Sequence, residues 1–251
     1  MPAEKAIALI LRTVDFSETS LVLTVFTREF GKLGMLAKGG RRLKGPFDSA
    51  LDLLALCRIV FLHKSSESLD LMTEAKLIRR FRPPGRDLRA LYAGYYVAEL
   101  LRELTDENDP HTELFDLAES TLTALAAGEA VGRLVVRFEL VALRLLGHMP
   151  LLTECIECGG PVPMTGRVAF ALSEGGVVCP RHRAGRRHVA AVTPGMLQTM
   201  RQFADPDCQA WRNLALDLRT FGEMRGVLNQ YVAHLVGRKL RMHAYLGSLA
   251  E

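Results

Sequence analysis

The sequence predicts a β domain followed by a helical one, with a small metal-binding module set into the helices. Three observations carry that prediction. Short segments rich in Ile, Leu and Val fill residues 5–78. The hydrophobic period changes to that of helices after RFRPPGRD, and two cysteine-led pairs stand 20 residues apart within the second part. At 251 residues, 49% of them hydrophobic, the chain is long enough for two or three small cores.

The strands come first. KAIALILRT and SLVLTVF are separated by the polar turn VDFSETS; GKLGMLAKG, LDLLALCRIVFL and SLDLMTEAKLI follow. In the last of these, Leu69 and Leu71 alternate with Ser68 and Asp70, the period of a half-buried strand. Five strands in so short a span predict a small closed barrel or a sandwich. Pro83 and Pro84 disfavour helix before them, which puts the domain boundary at 82/83.

Helices follow. Leu91, Tyr95, Ala98 and Leu101 mark one, residues 112–127 a second, and Val131, Leu134, Val135, Phe138, Val141, Ala142 and Leu145 a third. Thr193-Pro194 is a good helix start, since Thr caps and Pro suits the first turn. A last helix is expected over residues 221–245. The expected domains are therefore 1–82, a helical domain of 83–150 with 190–251, and a metal module of 151–189.

No apolar run approaches the roughly 20 residues of a membrane-spanning helix. The N-terminus carries no signal-peptide pattern, and five cysteines without a disulfide-like framework suit a reducing compartment. These features predict a cytoplasmic protein. The net charge of +4 is unevenly spread: residues 1–82 hold 14 Lys and Arg against 9 Asp and Glu, while the remainder holds 18 against 19. That asymmetry points to an anionic partner for the first part.

Cys155 and Cys158 form C-x2-C, and Cys179 and His182 form C-x2-H. Two such knuckles supply three thiolates and an imidazole, the tetrahedral set that Zn²⁺ prefers. Alternating Val168, Phe170 and Leu172, then SEGG, predict a hairpin that delivers the second knuckle, as in a zinc ribbon. Four protein ligands leave no open position for a water, so the expected role of the single zinc is structural. His188 is an alternative fourth ligand.

The second informative stretch is TREFGKLGMLAKGGRRLKGP, residues 27–46. Lys38, Arg41, Arg42 and Lys44 fall within seven residues beside Gly39 and Gly40. Arg offers forked donors to phosphate oxygens, and glycines allow close backbone approach. Arg28 and Lys32 precede the loop and Arg12 ends the first strand. A solvated charged loop has the same composition. A basic five-stranded barrel is, however, a common platform for single-stranded nucleic acid, with aromatic side chains stacking on bases. Phe16, Phe26, Phe30 and Phe47 are the candidate stackers. Further basic clusters, Arg79, Arg80, Arg82 and Arg86, and Arg181, Arg183, Arg186 and Arg187, either extend that surface or solubilise it.

The run LRTVDFSETSLVLTVFTREFGKLGMLAKGGRR, followed by helices and a CxxC module, resembles the bacterial DNA-repair and recombination family RecO. The family commonly reads AKGARR where this chain has Ala37–Arg42. The resemblance implies an N-terminal OB-fold, a helical domain and a zinc-binding module. It implies a non-enzymatic mediator that binds single- and double-stranded DNA and anneals complementary strands. With RecR, such a mediator helps RecA displace single-strand-binding protein, whose acidic tail it contacts. The family's DNA-contacting loop falls on Lys38, Arg41 and Arg42. Its zinc site often has four cysteines, so His182 is a departure. A basic-apolar face near Arg102, Arg133 and Arg137 is the candidate for the tail. Competing classes are a zinc hydrolase or deaminase, which lacks H-E-x-x-H and H-x-E…C-x-x-C patterns, and an RNA-binding or transcription-regulating module.

Overall fold

The structure, a computed structural model, describes residues 3–42, 46–47, 50–64 and 68–246. It divides into two compact units, Met1–Glu129 and Ala130–Glu251. The first two helices, beyond the proline break at 82/83, belong to the same compact unit as the strands.

In the first unit, β1 (Ala3–Asp15), β2 (Leu21–Thr27), β3 (Gly31–Ala37), β4 (Leu56–Leu62) and β5 (Asp70–Arg79) form a closed barrel in the order β1-β2-β3-β5-β4. Closure depends on the length of β1. Its first half pairs with β4, Ala3 opposite Leu62, and its second half with β2, Asp15 opposite Leu21. The register shifts between Ile10 and Arg12, a bulge of the kind that bends a strand from one neighbour to the next. Leu54 and Ala55 fill the bulge: Leu54 N–H donates to the Ile10 carbonyl at 2.8 Å, and Ile10 N–H to that of Ala55 at 3.1 Å. That pairing is why LDLLALCRIVFL, expected as one strand from Leu51, becomes strand only at Leu56.

Alternation chooses the inward side chains. Gly31, Leu33, Met35 and Ala37 of β3 are buried while the residues between them are not. Leu33, Met35 and Ala37 join Ala8, Ile10, Leu23, Val25, Ile59, Phe61 and Met72 in the barrel core. β3 meets β5 in parallel only over Met35–Ala37, opposite Asp70–Met72. The first half of β3 finds a different partner, the segment Asp106–Asp109.

That segment joins α1 (Leu88–Leu104) to α2 (Thr112–Ala126). Asp87 caps α1, its carboxylate accepting from Arg89 N–H at 2.9 Å and Ala90 N–H at 3.3 Å. α1 packs on β1 and on α2, and Phe115 of α2 sets its ring 6.1 Å from Phe26.

The second unit holds α3 (Val131–Leu145), β6 (Val168–Ala171), β7 (Gly176–Val178), α4 (Pro180–Arg183), β8 (Val189–Val192), α5 (Pro194–Ala204) and α6 (Leu218–Val236). The strands form an antiparallel sheet in the order β7-β6-β8. α5 packs on α3 and on α6, burying Phe138, Met196, Met200, Phe203 and Leu228. Thr193 caps α5 by accepting from Met196 N–H at 3.2 Å, with Pro194 in the first turn. The last helix is shorter than the expected 221–245: Gly237 takes the left-handed conformation (φ 75°) and ends it, and Arg241–Tyr245 forms a separate 3₁₀ turn. Among the described residues no helix is long and apolar enough to cross a membrane.

Candidate metal centre and candidate nucleic-acid face

The two knuckles meet as their spacing requires. The ligand atoms of Cys155, Cys158, Cys179 and His182 all lie within 4.8 Å of one another. His182 Nδ1 stands 3.2 Å from Cys179 Sγ and 3.8 Å from Cys155 Sγ. The edges of a tetrahedron around zinc, with bonds of about 2.0–2.3 Å, are roughly 3.5–3.8 Å long. Three thiols and one imidazole of these separations fit such an ion. His188 is exposed, at a backbone φ of 57°, and is not part of the cluster.

Backbone geometry prepares the thiolates. Gly159 N–H closes the first knuckle onto the Cys155 carbonyl at 2.8 Å, with Gly159 at φ 65°, where a side chain is strained. Burial pushes the Cys155 thiol up, but the N–H of Cys179 donates to its sulfur at 3.4 Å. Together with the backbone of Glu157 and Cys158 and the His182 ring, this brings the group down to about 5. Hydrogen bonds to the thiolate outweigh desolvation, so Cys155 is ionised at neutral pH and ready to ligate. The sulfurs of Cys155 and then Cys179 raise His182.

A residue overlooked in the sequence holds the knuckles together. Arg186, read there only as one of a basic cluster, donates from Nε to the His182 carbonyl at 3.0 Å. Its guanidinium also bonds Glu174 at 3.0 Å, on the hairpin, and Glu157, inside the first knuckle. One side chain thus spans both knuckles and the hairpin between them, the orienting role that outer partners play at metal sites.

On the barrel, the candidate cations separate into two groups. Lys32 donates its ammonium to the carbonyls of Arg102, at 2.8 Å, and Thr105, at the end of α1. It is half-buried, and desolvation lowers its pKa. Arg28 forks onto Asp116 of α2, Nε to Oδ1 at 2.8 Å and Nη2 to Oδ2 at 3.0 Å. These two tie β2 and β3 to the helices. The sequence could not show this, because their partners lie 70 to 88 residues away.

Lys38, Arg41 and Arg42 are exposed and lie together. Register explains why: Asp15 pairs with Leu21, and Leu21 with Ala37, so the β1–β2 turn and the loop after β3 leave the barrel at the same end. Arg41 joins them. Its N–H donates to the Thr19 carbonyl at 3.1 Å, and its Nη1 lies 3.2 Å from the Ser17 carbonyl and 3.3 Å from Asp15. Gly39, at φ 79°, makes the turn, and the stem of Arg42 lies over it. Arg12 is exposed on β1, opposite Thr24. Lys44 lies outside the described residues.

Several of the other basic groups are engaged, while Arg82, Arg181, Arg183 and Arg187 are exposed. Arg79 pairs with Glu119 at 3.1 Å and Arg80 with Asp52 at 3.6 Å, while the side chain of Arg86 lies outside the described part. Arg102 pairs with Glu103, and Arg133 donates to the Trp211 carbonyl at 3.0 Å. Arg137 is buried, donating to the carbonyls of Phe203 and Pro206 at 2.6 and 2.9 Å. Arg102 lies in the first unit and Arg133 and Arg137 in the second.

A closed barrel with a cationic end, followed by helices that carry a Cys3His cluster, defines a β-then-α protein with a site able to hold a metal ion. The family model described as "Recombination protein O N terminal" matches residues 1–81, and "Recombination protein O C terminal" matches residues 85–243. The chain belongs to this family, RecO, a family of DNA repair and recombination proteins. It is 40% identical to the DNA repair protein RecO of Rhodopirellula baltica, over 95% of this chain and 97% of that one. It is 35% identical to that of Myxococcus xanthus, over 93% of each, and 32% identical to that of Anaeromyxobacter dehalogenans strain 2CP-1, over 99% and 98%.

Proposed function

We propose that the chain is a DNA-binding recombination mediator that anneals complementary single strands. With RecR, it helps load RecA onto strands coated with single-strand-binding protein. The observation that carries this reading is the meeting of the β1–β2 turn with Lys38–Arg42 at one end of the barrel. Lys38, Arg42 and Arg12 extend from that end and from β1 without an ion pair to a described residue. The strand order 1-2-3-5-4 suits an OB-fold, whose loops and second and third strands bind oligonucleotides.

Annealing needs no catalytic group. Cations that neutralise the phosphates of two strands lower their repulsion, and base pairing supplies the driving force. In this reading the metal is one Zn²⁺ held by Cys155, Cys158, Cys179 and His182. When bound it supplies only crosslinking, fixing residues 151–189 as a module within the helical part, because four protein ligands close the site. The protein acts in the cytoplasm, on the nucleoid, and has no enzymatic activity of its own.

The test is annealing of complementary strands coated with single-strand-binding protein, against matched RNA strands. Wild type should anneal the DNA pair, and Arg42→Glu with Lys38→Glu should slow it by at least about tenfold, with a salt slope smaller by about 0.7 per lost contact. Unchanged rate and slope in the double variant, or preference for RNA, would refute the reading.

A further inference from the structure

Of the four phenylalanines expected to stack on bases, three are committed elsewhere. Phe26 and Phe47 are in the interior, and Phe30 sets its ring edge-on to Phe61 at 5.4 Å. Phe16, on the β1–β2 turn, is 66% exposed. It lies on a built turn: Phe16 N–H and Ser17 N–H both donate to the Ser20 carbonyl, at 3.0 and 3.3 Å, and Ser20 N–H to Ser17 Oγ at 3.2 Å. Arg41 fastens that turn from the neighbouring loop through the Thr19 and Ser17 carbonyls, while its contact with Asp15 offsets the nearby carboxylate.

An exposed aromatic ring on a fixed turn, tied through Arg41 to the loop that carries Lys38 and Arg42, has the layout of a stacking platform with phosphate contacts on the adjoining loop. A protein or lipid partner would call for contiguous apolar surface. The turn offers Phe16 and the partly exposed Val14 among Ser17, Glu18 and Thr19. A base in an unpaired strand offers a π face flanked by anions, whereas a duplex keeps its faces stacked inside.

We infer that Phe16 is a base-stacking residue, that Arg41 is the residue that positions it, and that the ligand of this barrel end is an unstacked single strand. This inference rests on the reading of the same face given above. Arg41 therefore differs from Arg42: it orders the turn, while Arg42 meets phosphate.

The test compares Phe16→Ala, Phe16→Trp, Arg41→Lys and Arg42→Ala of the full chain on a single-stranded oligonucleotide and on the matched duplex, with thermal unfolding as a control. Phe16→Ala should weaken single-strand binding by about 5- to 100-fold and duplex binding by less than about 2-fold, with an unchanged salt slope. Phe16→Trp should restore binding, and the oligonucleotide should quench the indole at position 16. Arg41→Lys keeps the charge and should lose single-strand preference as Phe16→Ala does. Arg42→Ala should weaken both ligands and lower the slope. Equal loss on both ligands in Phe16→Ala, or no loss while Arg42→Ala still weakens binding, overturns the inference and leaves the DNA-binding face standing. Wild type that binds neither ligand overturns both.

Discussion

Arg225 of α6 bonds the carboxylate of Glu139 on α3 in the interior of the second unit, where the side chains are 8% and 0% exposed. Asn229, one turn further along α6, accepts from Arg225 Nη2 at 2.9 Å. Removing one member of such a pair leaves a charge without its partner in a region of low dielectric. Glu139→Gln should therefore destabilise the unit by about 3–5 kcal/mol. Glu139→Leu with Arg225→Met should recover most of that loss, because both desolvation costs vanish together. Urea midpoints of the three proteins decide it.

Lys32 and Arg42 are both basic and both near β3, yet they should fail differently. Lys32→Met removes the ammonium that serves the Arg102 and Thr105 carbonyls and should cost about 2 kcal/mol of stability. It should leave DNA affinity nearly unchanged. Arg42→Ala should leave the unfolding midpoint in place and weaken DNA binding. Parallel denaturation and binding isotherms make the comparison.

The metal cluster predicts one zinc per chain, lost in Cys155→Ser. Chelation should lower the unfolding temperature of the helical part and spare the barrel's β signal. The proton sign is fixed by the donors. His182 must give up a proton held more tightly because of the Cys155 and Cys179 sulfurs, so metal affinity falls as pH falls. Elemental analysis across a pH series reads both effects.

Cys57 is pushed from 9.0 up to about 12, by burial first and Asp52 second, and its Sγ donates to the Ala50 carbonyl at 2.9 Å. It should resist alkylation at pH 8, where only about one thiol in 10⁴ is ionised, while the partly exposed Cys208 reacts. Because the folded value lies above the unfolded one, the contribution to stability is full below pH 9 and declines between about 9 and about 12. Thiol labelling and alkaline unfolding check the two halves.

Gly175, at φ 66°, turns the hairpin against α6, and a Cβ there would lie 2.1 Å from Tyr231 Cε2. Gly185, at φ 77°, has nothing within 4 Å of that position. Gly185→Ala should cost only the left-handed strain of about 1–2 kcal/mol. Gly175→Ala should cost clearly more, since the ring must move, and should loosen the hairpin that carries Cys179. Thermal melts with zinc retention distinguish them.

What the sequence disclosed and what it withheld follow from distance along the chain. The strand segments, the helix start at Thr193-Pro194 and the two knuckles are encoded within a few residues and stand where the pattern puts them. The phase of β5 does not, since Asp70 and Met72 face inward and Leu69 is exposed, Asp70 being held by Lys64 N–H at 2.8 Å. The pairing of β3 with β5, the bulge at Ile10 and the work of Lys32, Arg28 and Arg186 depend on partners that only folding brings near. Arg28 and Lys32 looked like Lys38 in composition; the carboxylate partner of the exposed Arg28, and partial burial with carbonyl partners for Lys32, separate them. Phe16 looked like Phe26 and Phe30; Phe26 takes an inward strand position and Phe30, also on a turn, packs against Phe61, whereas Phe16 stays exposed.

The dependence of β3 on Asp106–Asp109 bears on how the chain is made. Asn108 N–H donates to the Lys32 carbonyl at 3.0 Å, and Gly31 has no room for a side chain because the Asp109 carbonyl oxygen would lie 2.0 Å from its Cβ. The last stitch of the barrel is thus sewn by residues synthesised some 75 positions after the strand they complete. A ribosome-bound chain that stops at residue 81 has all five strands and still leaves half of one edge open, and protease should find it there until α1 and the following loop have emerged.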